Sequence, residues 1–207
     1  MYGSGEFTRE NFMQVLEEAA TLARKLGDYI ALFYGVGILD DVANWVGEYE
    51  TAERCGQELL ELSRHRPPTF LASCLRIVGE ASLGLGKLHL ARQQLLESMT
   101  VMLKSETRLL INCQVALLAW AKLLYRECTA QKVAHQPCYT QRQQAQALEI
   151  VSSLWHEPKA RAMYKARAAQ FASELEALLP PEVARAAKER GKTKTPVQMA
   201  TEIVNQT

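Results

Sequence analysis

Leu75 to Ser98 reads L-R-I-V-G-E-A-S-L-G-L-G-K-L-H-L-A-R-Q-Q-L-L-E-S. Leu71, Leu75, Val78, Ser82 and Leu85 recur at helical spacing up to Gly86. Ala91, Leu95, Met99 and Met102 then form a second stripe with the same period. The stretch therefore predicts two helices, about 69–85 and 88–103, reversed on one another at Gly86. Glycine suits that corner because it takes a left-handed backbone without a Cβ penalty. Gly79 lies inside the first helix, where glycine costs about 1 kcal/mol relative to alanine. Its presence calls for close approach of the second helix.

The same signature occurs elsewhere. G-E-F-T-R-E-N-F starts at Gly5, G-E-Y-E-T-A-E-R at Gly47 and G-K-L-H-L-A-R-Q at Gly86. Each has glycine, a charged residue, an aromatic or leucine, then a helix start, with a period of roughly 40 residues. Ala52 and Ala91 follow two of these glycines at one spacing; Glu10 stands at that place in the first. The aromatic or leucine is expected to plug the gap between two antiparallel helices, and the alanine to let them approach.

This pattern resembles the tetratricopeptide repeat. Leu75, Val78, Gly79, Ser82, Gly86, Leu88, Ala91, Leu95 and Ser98 match that family's spacing. Val36, Leu39, Asp40, Ala43, Gly47, Tyr49, Ala52, Gly56 and Leu59 match less well, with Asp40 replacing a small residue and Gly56 a large one. The resemblance spans roughly residues 5–155 and implies an all-α right-handed superhelix of antiparallel helix pairs. The run from Ala166 to Gly191 is similar to the end of the repeat region in MalT-like and adenylate-cyclase-associated bacterial signalling ATPases and transcriptional regulators. That likeness implies a sensor or scaffold part of such a regulator. No Gly-x-x-x-x-Gly-Lys-Ser/Thr phosphate loop occurs in this chain.

Composition agrees with helices. The 207 residues are 48% hydrophobic and only 7% aromatic, with alanine and leucine prominent. Lys plus Arg number 24 against 23 Asp plus Glu, so no global charge draws the chain to nucleic acid or acidic membranes. Five cysteines without a Cys-x-x-Cys pair are expected to be buried reduced thiols in a cytoplasmic protein. No apolar run suits a membrane span or a secretory signal.

Further helices are expected at about 8–26, 29–46, 49–63, 106–126, 139–154 and 158–179, with 127–138 a looser connection. Pro180-Pro181 opens a short helix that Gly191 ends, and Thr195-Pro196 caps a last one to about 206. Residues 1–155 are assigned to the repeats and 156–207 to capping helices of the same domain.

Candidate chemistry is sparse. Cys128, His135 and Cys138 have a spacing that zinc can use, but no fourth ligand is evident, so no metal is assigned. His65 between Arg64 and Arg66 suits a phosphate or a helix C-terminus. The basic run Arg185 to Lys194 has no interleaved aromatics, so nucleic-acid contact is not expected. No catalytic residue and no cofactor is assigned. Carrying the repeat register over, first helices would line a concave, partner-binding groove with Tyr34, Asp41, Asn44, Trp45, Ser73, Arg76, Glu80 and Leu83, joined by Lys122 and Arg126. Trp45 either anchors a partner or caps the core between repeats.

At the N-terminus, the signature at Gly5 implies a repeat without its first helix. Phe12, Val15, Leu16, Ala19 and Leu22, with Ala23 and Leu26, would then form an incompletely covered stripe. A piece of a longer array, or a homodimer through this helix, follows; a cloning remnant at Gly3 to Phe7 would make the match accidental. The chain thus reads as a non-catalytic module binding a protein or peptide, with a small-ligand sensor as the alternative.

Overall fold

A computed structural model describes residues 9–63, 66–105, 110–131, 137–160 and 162–206. Its elements are α1 (Arg9–Leu26), α2 (Tyr29–Val46), α3 (Tyr49–Ser63), α4 (Pro68–Gly84), α5 (Leu88–Lys104), α6 (Leu110–Gln131), α7 (Pro137–His156), α8 (Ala162–Glu176), α9 (Pro181–Lys192) and α10 (Pro196–Gln206). The fold is all-α, with no strand among the described residues.

The glycine corners behave as their sequence demands. Gly27, Gly47 and Gly86 take φ of 65°, 86° and 75°. After each, the next N–H donates to a carbonyl of the last turn: Asp28 to Ala23 (3.1 Å), Glu48 to Ala43 (2.8 Å) and Lys87 to Ser82 (2.9 Å). This satisfies carbonyls that the helix end leaves open. Asp28 then caps α2, its Oδ1 accepting from the N–H groups of Ile30 (3.1 Å) and Ala31 (3.0 Å).

Close packing explains the interior glycines. A Cβ on Gly79 would lie 2.8 Å from Leu95 Cγ, so α4 and α5 approach as that glycine predicts. Gly56 is equally tight against Val78 and Ile77, with α3 on α4. The Tyr49 ring fills the space where a Gly84 Cβ would stand, which is the plug expected of the aromatic after Gly47. Two buried hydroxyls tie α5 to α4: Ser82 Oγ donates to Gln94 Oε1 (2.8 Å) and Ser98 Oγ to the Ala72 carbonyl (2.6 Å).

Each helix from α1 to α8 packs on the next. The even-numbered helices also touch one another, α2 on α4, α4 on α6 and α6 on α8. α1, α3 and α5 are tied by ion pairs: Arg24–Glu58 (2.6 Å) and Arg54–Glu17 (3.7 Å) join α1 to α3, and Lys87–Glu53 (2.6 Å) joins the start of α5 to α3. One core, with Leu16, Ala20, Val36, Leu39 and Leu59, serves α1 to α4. A larger one, with Leu95, Met99, Trp120, Leu148 and Leu175, runs from α4 to α10.

The C-terminal helices fold back. α9 lies along α7, and α10 packs on α5, α6 and α7. Thr195 and Gln198 cap α10 reciprocally: Thr195 N–H donates to Gln198 Oε1 (2.8 Å), and Gln198 N–H to Thr195 Oγ1 (3.3 Å). Three expectations need correction. α6 continues through Gln131, beyond the boundary expected at residue 126. α8 starts at Ala162, so Pro158 sits in the preceding turn. Gly191 does not end α9; it is helical and buried, and a Cβ there would meet the Glu149 carbonyl of α7. A glycine read as a stop signal is a packing residue.

Candidate functional site

The groove residues fall into clusters on the even-numbered helices. On α4, Ser73, Arg76 and Glu80 lie within two turns. Arg76 donates through Nη1 to Glu80 Oε1 at 2.6 Å, one turn on. Arg76 is only 6% exposed, while the Glu80 side chain is 22% exposed. Glu80 is thus the more exposed member of this pair. Ser73 is half-buried, and its Oγ donates to the Thr69 carbonyl (3.0 Å). Leu83 is buried in the core that spans α4 to α10, so it faces inward and not a groove.

On α2, Tyr34 is exposed and its ring meets Phe33 edge-on (5.8 Å), while Phe33 stacks at a tilt on Phe70 of α4 (4.4 Å). Asn44 is half-buried. The side chains of Asp41 and Trp45 lie outside the described residues, so the choice between anchor and cap for Trp45 stands open. On α6, Lys122 and Arg126 are both exposed and one turn apart. Ile38 of α2, exposed one turn beyond Tyr34, was not among the expected groove residues.

The remaining candidates do not assemble a reacting centre. His65 and His135 fall outside the described residues, as does the Cys138 side chain. Cys128 is buried, its thiol 3.0 Å from Gln143 Oε1 of α7. Among the described residues, no group of His, Cys, Asp or Glu has metal-binding geometry. Cys113 is buried under α10, its thiol donating to the Pro196 carbonyl (3.3 Å), and burial pushes its pKa up to about 12. Such a thiol is protonated and a poor nucleophile.

Within the run Arg185 to Lys194, Lys188, Arg190 and Lys194 pair with other helices. Arg190 (2.7 Å) and Lys194 (2.8 Å) both reach Glu149 of α7, and Lys194 also reaches Glu202 of α10 (2.6 Å). An open cleft of about 380 Å³ beside it is lined by Glu176, Leu179, Arg185 and Lys188, at the α8–α9 corner. Among the described residues no helix is long and apolar enough to cross a membrane.

The N-terminal stripe divides in two. Leu16 and Ala23 are buried in the core, together with Ala20, which was not among the expected residues, whereas Val15, Ala19, Leu22 and Leu26 are exposed. Leu16 therefore belongs inside and not to a self-association surface, and the Phe12 side chain lies outside the described residues. Searches against protein-family models, curated proteins and solved structures find no match for this chain.

Proposed function

We propose that the chain is a non-catalytic interaction module of the tetratricopeptide kind, which holds a protein or peptide against its even-numbered helices. The observation that carries this reading is the row of contacts α2–α4–α6–α8, with the odd-numbered helices α1, α3 and α5 tied alongside by ion pairs. A two-layered stack of this kind offers an extended surface and not a single cavity. The glycine corners, the Tyr49 plug and the Gly79 contact support the repeat reading at the level of individual side chains.

The surface has graded chemistry. α2 contributes apolar and aromatic groups, Ile38 and Tyr34; α4 contributes the Glu80 carboxylate; α6 contributes the cations Lys122 and Arg126. A peptide carrying an apolar or aromatic residue and, further along, acidic residues is its complement. The wider reading is the sensor or scaffold portion of a bacterial signalling or transcriptional regulator, acting in the cytoplasm. It rests on the resemblance of Ala166 to Gly191 alone.

Panning a displayed random-peptide library against the folded chain tests the reading. Enriched peptides should lose at least about tenfold in affinity, about 1.4 kcal/mol, on Lys122→Glu with Arg126→Glu, and on Tyr34→Ala. Peptides that bind these variants as well as the parent chain would move the site elsewhere.

A further inference from the structure

The charged residues of α1 sort into two sets. Glu17 and Arg24 face α3, where they pair with Arg54 and Glu58. Glu18 and Lys25 are exposed on another side of the helix; Glu18 accepts only a hydrogen bond from Gln14 (2.9 Å), and Lys25 has no ion pair among the described residues. Beside this second set runs the stripe Val15, Leu22 and Leu26, exposed by 56%, 57% and 72%. On the other side of the Gly27 corner, Ile30 of α2 is exposed as well. Large apolar side chains gathered this way on a water-facing edge mark a contact surface.

We propose that this edge binds a second copy of the chain, α1 against α1, antiparallel about a two-fold axis near Leu22. The charge pattern selects that occupant. Glu18 and Lys25 lie on one flank of the stripe, because a seven-residue step nearly completes two helical turns. When two such helices pack antiparallel, the same flank of each faces the other. Glu18 of each copy then stands opposite Lys25 of its partner, and the two-fold makes both pairs at once. Leu22 sits beside the axis, and Val15 reaches towards the Leu26 end of the other copy. A parallel pairing would not bring these opposite charges together. The edge is distinct from the sides of α1 that face α2 and α3.

Sedimentation velocity of the 207-residue chain over a range of micromolar concentrations tests this. The expected result is a concentration-dependent monomer–dimer equilibrium. Lys25→Glu, which sets Glu against Glu18 of the partner, should weaken the dimer on the order of tenfold. The double exchange Glu18→Lys with Lys25→Glu should restore it. Leu22→Glu should give a monomer whose helix content by circular dichroism is unchanged, since that side chain is exposed. A monomer at every concentration, a dimer indifferent to Leu22→Glu, or a double exchange that fails to recover the loss overturns the proposal. The groove reading is tested separately from these outcomes, because it depends on Tyr34, Glu80, Lys122 and Arg126, none of which these variants change.

Discussion

Single side chains decide how closely the helices approach. Gly191 is the strictest case, because a Cβ would enter the Glu149 carbonyl and crowd Ser152, both parts of α7 with little room to yield. Gly191→Ala should therefore lower stability by about 1–3 kcal/mol, read as a drop in the urea midpoint. An unchanged midpoint would show that α9 is not seated on α7. Cys113 makes a second prediction. Its folded pKa of about 12 exceeds the ordinary 9.0, so the unfolded chain loses this proton first as pH rises. Its contribution to stability should be intact below about pH 8.5 and shrink above it, by up to about 1.4 kcal/mol per pH unit until the folded thiol itself ionises. Cys113→Ala should flatten the stability–pH curve in that alkaline range relative to the parent. Identical slopes for the two proteins would place Cys113 in contact with solvent.

Helices show where sequence reading succeeded and where it stopped. α2 and α3 were legible because they flank the Gly47 corner, and α4 and α5 because they flank Gly86. α6 was cut short because Arg126, Glu127 and Thr129 look like the end of a stripe, yet Cys128 continues it into contact with Gln143 and Thr140 of α7. The groove was only partly legible for a similar reason. Arg76 looked like a surface cation, but its pairing with Glu80 holds it 6% exposed, and only the packing of α4 reveals that. α10 could be placed from its cap but not its docking partners, which lie far away in sequence on α5, α6 and α7. Its Met199 and Ile203 are buried in the larger core, so Ile203→Ala should cost about 2–5 kcal/mol. Chemical denaturation measures this directly, and a loss under half a kcal/mol, roughly that of a surface change, would detach α10 from the core.

At the scale of the whole molecule, the two cores differ in extent. α1 and α2 share a small core and carry most of the exposed large apolar side chains, while α6 and α7 sit in the middle of the larger one. Local opening should follow that difference. Amide exchange at low denaturant is expected to be faster in α1 and α2 than in α6 and α7; uniform exchange along the chain would mean that the cores act as one. The row of even-numbered helices remains the central claim, because it makes a stack of helix pairs into a binding surface. The most direct measurement is amide hydrogen exchange of the chain with and without a peptide selected against it. Added protection is expected on the exposed sides of α2, α4 and α6, around Tyr34, Glu80 and Lys122. Protection confined to α8, α9 and α10, with the even-numbered row unchanged, would contradict it.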